Sequence, residues 1–137
     1  MTRLYLENPG PWTLPEAREA VHDAAAAQAK AEDRVKDAYR AFAEAEAAYR
    51  RQLAIRILEY KAEGIAITMC GELARGDERV SELRRSRDIA EGAREAAVAS
   101  LWRMNANRKD VRAFATWSQR REFAENFDSE SPNAFDD

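Results

Sequence analysis

The chain has 137 residues, 45% apolar and 34% charged, with a net charge of −3; few glycines and prolines beside abundant Ala, Glu and Arg mark a single domain of long helices, and no sheet is expected. One cysteine and one histidine exclude a disulfide framework and a structural zinc site within one chain. Uncharged stretches reach only about eight residues, too short for a membrane span, and residues 1–12 lack the apolar core of a signal peptide, so a cytoplasmic protein without a membrane partner is expected.

Residues 1–12 are expected as an extended arm, because Asn8-Pro9-Gly10-Pro11 cannot propagate a helix and Leu4, Tyr5 and Leu6 offer it an apolar anchor. Thr13 opens the first helix, with Pro15 in its first turn and Glu16 placed to complete a capping box. From there Ala17, Ala24, Ala31, Ala38 and Ala45 recur every seven residues beside Leu14, Val21, Gln28, Val35, Phe42 and Tyr49. This is a heptad seam whose methyl groups let a partner helix come close. The stripe then slips by one residue to Leu53, Ile57 and Tyr60, and Gly64 is the predicted stop after about 73 Å of helix.

Between Gly64 and Gly71 the chain is apolar and β-branched, which predicts a turn or a short helix running to Arg75; Gly76-Asp77 makes the second break, with Asp77 as the next N-cap. A second helix is expected from Glu78 to Asn105, where Leu83, Ala90, Ala97, Met104 and Val111 again step by seven. Asn105 to Asn107 is read as an interruption, followed by helix from Arg108 to Glu125. The returning pieces total about 72 Å, matching the outward helix. The expected fold is therefore all-α: a long antiparallel, coiled-coil-like helical hairpin over residues 13–125 with its tip at 64–76. Residues 126–137 are read as an acidic flexible tail. An alanine-rich hairpin buries little area by itself, so pairing into a four-helix bundle homodimer is expected.

Several spacings resemble sites without completing them. Glu19 and His22 have the Glu-x-x-His spacing of helical di-iron centres, but they fall away from the Ala17 seam and no second histidine exists. No metal and no other cofactor is expected. Gly71 to Gly76 has the glycine spacing of a phosphate loop, yet Asp77 and Glu78 stand where Lys and Ser or Thr should follow. Cys70, among apolar neighbours, reads as a buried small hydrophobe. Arg84, Arg87 and Arg94 read as neutralised by Asp88, Glu91 and Glu95. No nucleophile–base or paired-carboxylate pattern stands out, so no catalytic residue is assigned and no enzyme activity is expected.

Two surfaces remain. The apolar tip, through Ile65, Ile67 and Met69, and the tail, through Phe127 and Phe135, supply candidate protein-binding residues. Net charge is uneven: residues 75–121 carry 12 basic and 7 acidic side chains, and residues 122–137 carry 6 acids and no base. Within the basic part, Leu101 to Arg121 holds six cations against one acid, interleaved with Trp102, Phe114 and Trp117. Arg103, Arg108, Lys109, Arg112, Arg120 and Arg121 could hold phosphates while Trp117 stacks on bases, which makes nucleic acid the alternative partner. The plainer reading keeps Phe114 and Trp117 in the core with the arginines snorkelling around them.

Read in order, Gly64-Ile-Ala-Ile-Thr68, Leu73-Ala-Arg-Gly-Asp77, Val80-Ser-Glu-Leu-Arg84 and Ala113-Phe-Ala-Thr-Trp117-Ser118 resemble small helical accessory proteins encoded by bacteriophages and prophages of high-GC bacteria. The resemblance covers about residues 38–118. It implies a non-enzymatic binder in a bacterial host cell, acting on DNA metabolism or on host proteins, and transfers no role to any residue. The expected function is a dimeric helical protein–protein interaction module for a host or phage protein, with DNA binding as the alternative.

Overall fold

The computed structural model describes residues 10–130, and among these it is all-α with no strand. Three helices follow in order: α1 (Leu14–Ala62), α2 (Ile67–Gly76) and α3 (Glu78–Glu130). None is long and apolar enough to cross a membrane. The chain divides into two compact units, one containing residues 10–30 and 102–130, the other Ala31–Leu101.

The start of α1 follows from its first residues. The Thr13 backbone N–H donates to Glu16 Oε2 at 2.9 Å, and the Glu16 N–H donates to Thr13 Oγ1 at 3.4 Å, so two N-terminal donors without helical partners are satisfied reciprocally. Trp12 precedes this cap and is buried together with Ala17, the pairing of a hydrophobic staple. In the first unit Trp12, Ala17, Ala24, Val111 and Ala115 form the core, with Val21 and Phe114 packed against it. The Trp12 ring meets Phe114 edge-on at 4.5 Å, and its backbone N–H donates to the fully buried Ser118 Oγ at 3.0 Å. Farther along, Arg108 Nη1 donates to Gln28 Oε1 at 2.7 Å. Partner numbers fall on α3 as they rise on α1, so the two stretches run antiparallel within this unit.

The second unit has the same sense. Arg94 lies over the Phe42 ring at 4.2 Å, and Arg87 lies over the Tyr49 ring at 4.8 Å, one heptad on along each helix. The contact stripe of α1 from Ala17 to Tyr49 is buried or half-buried at every alternating three- and four-residue step. On α3 the same alternation runs through Val80, Leu83, Arg87, Ala90, Arg94 and Ala97 to Leu101, and on through Met104, Arg108, Val111, Ala115 and Ser118. Arginine thus occupies three seam positions, each shielded against an aromatic ring or an amide rather than left in an alanine core. Arg87 and Arg94 pair with Asp88 at 2.9 Å and Glu91 at 3.9 Å; Arg84, expected to be neutralised, has no ion pair among the described residues.

Three boundaries differ from those expected. No interruption occurs near Asn107, because Asn105, Asn107 and Arg108 are all half-buried, and packing outweighs the fraction of a kcal/mol that Asn loses in a helix. Residues 126–130 belong to α3 rather than to a tail, since no Gly or Pro occurs there and the next breaker in the sequence is Pro132. Of the residues expected as an arm over 1–12, Trp12 is buried; the expected anchors Leu4, Tyr5 and Leu6 lie outside the described residues, as does Phe135.

Candidate protein-binding surface

In the second unit α1 ends where a glycine permits it. Gly64 has φ +87°, its N–H donates to the Lys61 carbonyl at 3.1 Å, and the Ile65 N–H donates to the Tyr60 carbonyl at 3.2 Å. This pair of bonds is the Schellman arrangement, with Gly64 at the left-handed position. Ile65 is consequently half-buried, and its carbonyl accepts the Cys70 S–H at 3.5 Å. Of the sequence-predicted tip residues, Ile65 therefore faces partly inward and forms the base of the tip.

The following helix is short and one-sided. Only Cys70 and Ala74 of α2 are buried. Ile67 is 72% exposed, Met69 56% and Leu73 39%, with Met69 and Leu73 one turn apart. The only ion pair on α2 among the described residues joins its own Arg75 and Glu72 at 2.7 Å, so it does not tie the helix to a neighbour. Met69 was legible from the sequence, whereas Leu73 was missed; its spacing of four from Met69 was the available signal.

What fixes α2 is its exit. Asp77 has extended backbone, its Oδ2 accepts the Val80 N–H at 3.4 Å as the N-cap of α3, and its Oδ1 accepts from Arg56 Nε at 3.2 Å. Arg56 also donates to Glu59 Oε2 at 2.6 Å and lies over the Tyr60 ring at 4.4 Å. The Glu59 hydrogen bond above all, with Tyr60 and Asp77, raises the Arg56 pKa above its ordinary value, so this guanidinium stays charged throughout the working range. Val80, fully buried, and Ser81, whose Oγ donates to the Arg75 carbonyl at 3.0 Å, complete the junction. A braced base thus presents Met69 and Leu73 on one side of α2 and Ile67 on another to solvent.

The other predicted residues are dispersed over α3. Phe127 is 68% exposed, and Phe123, one turn earlier and not anticipated as a contact, is 73% exposed. Arg108 turns into the seam toward Gln28. Arg121 pairs with Glu125 at 3.5 Å and lies 5.8 Å from the Trp117 ring, while Trp117 leans on Phe114 with centroids 5.3 Å apart. Trp117 is half exposed, between the two readings made for it. Arg103, Lys109, Arg112 and Arg120 are exposed and form no ion pair among the described residues. Lys109 and Arg120 share a helix face with Trp102, whereas Arg103 and Arg112 fall on opposite flanks. The cations are therefore not brought together into one patch.

Glu19 and His22 are both exposed, and among the described residues no group of three His, Cys, Asp or Glu side chains could hold a metal ion. The glycine-spaced segment 71–76 is the body of α2 and not a loop. Compared with protein families, curated proteins and solved structures, the chain matches none.

Proposed function

We propose that this chain is a non-enzymatic helical interaction module. In this reading it is a helical hairpin that pairs with a second copy into a four-helix bundle and offers α2 to an apolar groove on a partner protein. The bacteriophage setting is the one its sequence resembles. The observation that carries the reading is α2 itself: a ten-residue helix that hides two small side chains and leaves Ile67, Met69 and Leu73 in solvent on a braced base. Scattered exposed apolar residues are ordinary, but three large ones on one short helix are the pattern of a docking site. Ile55, Leu58 and Ile89 of the same unit are exposed as well and supply area for a second copy.

A photoreactive residue placed at Ile67 or Met69 tests this. Crosslinks to a discrete partner in the bacterial host from those positions, and none from the exposed Arg50 position, are the expected result. Indistinguishable crosslinking from all three would remove α2 from the reading.

Nucleic-acid binding is kept as a second reading because Arg103, Lys109, Arg112 and Arg120 are exposed and unpaired among the described residues, on the same helix as the exposed Trp102. Four phosphate contacts imply a log–log salt slope of roughly −3 to −4. A mobility-shift titration across salt concentrations gives that slope if the reading holds. No shift at low salt, even after deletion of residues 122–137, would rule it out.

A further inference from the structure

In the first unit a groove of about 480 Å³ runs along one flank of the α1–α3 contact. Its floor is methyl and isopropyl surface from Ala17, Val21, Ala25 and Ala115, all buried or half-buried. Its walls carry Arg18 and His22 on one side and Arg112 and Gln119 on the other. No carboxylate lines it. Neither arginine is held in an ion pair among the described residues. Gln119 Nε2 is buried and has no acceptor among the described residues, and a buried donor without a partner carries the cost of the water it has lost. Thr116 on the same wall has already turned its hydroxyl to the Arg112 carbonyl at 3.0 Å, which leaves the outward donors as two guanidiniums and an imidazole.

Two guanidiniums on opposite walls, with a further donor on each wall, suit a tetrahedral anion, which can be gripped from both sides; a carboxylate would engage one planar fork. The apolar floor and the volume leave room for a carbon body of the size that small-molecule pockets of roughly 300–1,000 Å³ take. We propose that this groove binds an organic phosphate. Arg18 and Arg112 hold the phosphate, a ring N–H of His22 donates to it, Gln119 turns its buried Nε2 outward to donate as well, and the organic body lies on the alanine floor. The source is either a free nucleotide or one nucleotide of a strand, since both present the same chemistry. The site lies in the other unit from α2, so its test and that of the interaction surface fail independently.

The experiment is an NMR titration of the full chain with adenosine monophosphate, inorganic phosphate and an oligothymidylate. Saturable shifts of the Gln119 side-chain amide and the His22 ring are expected with adenosine monophosphate, more weakly with inorganic phosphate. Arg18→Gln and Arg112→Gln should each weaken binding roughly tenfold, as loss of one charged hydrogen-bond partner does, while Arg51→Gln, in the other unit, leaves it unchanged. All three positions are exposed, and unchanged helicity by circular dichroism confirms folding. Tighter binding of the oligothymidylate than of the monophosphate assigns the groove to a strand, and the reverse assigns it to a free nucleotide. No saturable shift with any probe, or equal weakening by Arg51→Gln, overturns the proposal. Inorganic phosphate binding as tightly as the monophosphate overturns the role of the floor.

Discussion

Trp12→Ala is expected to lower the stability of the protein by about 3–5 kcal/mol, the range for truncating a buried indole. Trp12 is 6% exposed and stands at the head of a core otherwise made mostly of alanines, whose methyl groups are too small to refill the space it leaves. It also holds Phe114 edge-on at 4.5 Å, a geometry that adds to simple burial. The bond from its backbone N–H to Ser118 Oγ survives only if the chain before Thr13 stays in place. Urea denaturation should show a clear drop in midpoint, and a midpoint within error of the unmutated protein would mean that the staple is dispensable.

Ala24→Leu should also destabilise, by about 1–3 kcal/mol, although it adds apolar surface. Ala24 is 1% exposed and sits between Val111 and Ala115 across the seam and Ala17 one heptad earlier. Three extra carbons there must push α3 away or force strained rotamers, because interiors are packed to crystal density. Ala26, two residues on, is exposed, and Ala26→Leu should change stability by no more than about 0.5 kcal/mol. The pair separates packing from helix propensity, since both substitutions put leucine into the same helix.

The contrast between those two alanines was readable from spacing alone. A step of seven placed Ala17, Ala24 and Ala31 on one line, and all three are buried; the capping box at Thr13 and Glu16 and the glycine stop at Gly64 follow from rules local to a few residues. Arg87, Arg94 and Arg108 were not legible as seam residues, because their charge marks them as surface. Only rings and an amide on the facing helix reveal that their stems are covered. Asn107 misled for the opposite reason: an intrinsic preference was read where packing decided. At the candidate site, Ile67 and Met69 were accessible to reasoning because an apolar run between glycines had no evident partner. Ile65 was misjudged because its neighbour Gly64 adopts a left-handed turn that folds the next residue inward. The groove at Gln119 had no sequence signal, since its donors come from residues about ninety positions apart on different helices.

In the proposed function the seam holds the fold, and α2 on its braced base is what would bind a partner. The most direct measurement is a paired comparison of melting temperature and partner capture for Ala24→Leu and for Ile67→Asp combined with Met69→Glu. The first variant should melt at a lower temperature and, below that temperature, capture the crosslinked partner as the unmutated protein does. The second should keep its melting temperature and lose capture. Capture retained by the second variant at full affinity, with its fold intact, would contradict the claim.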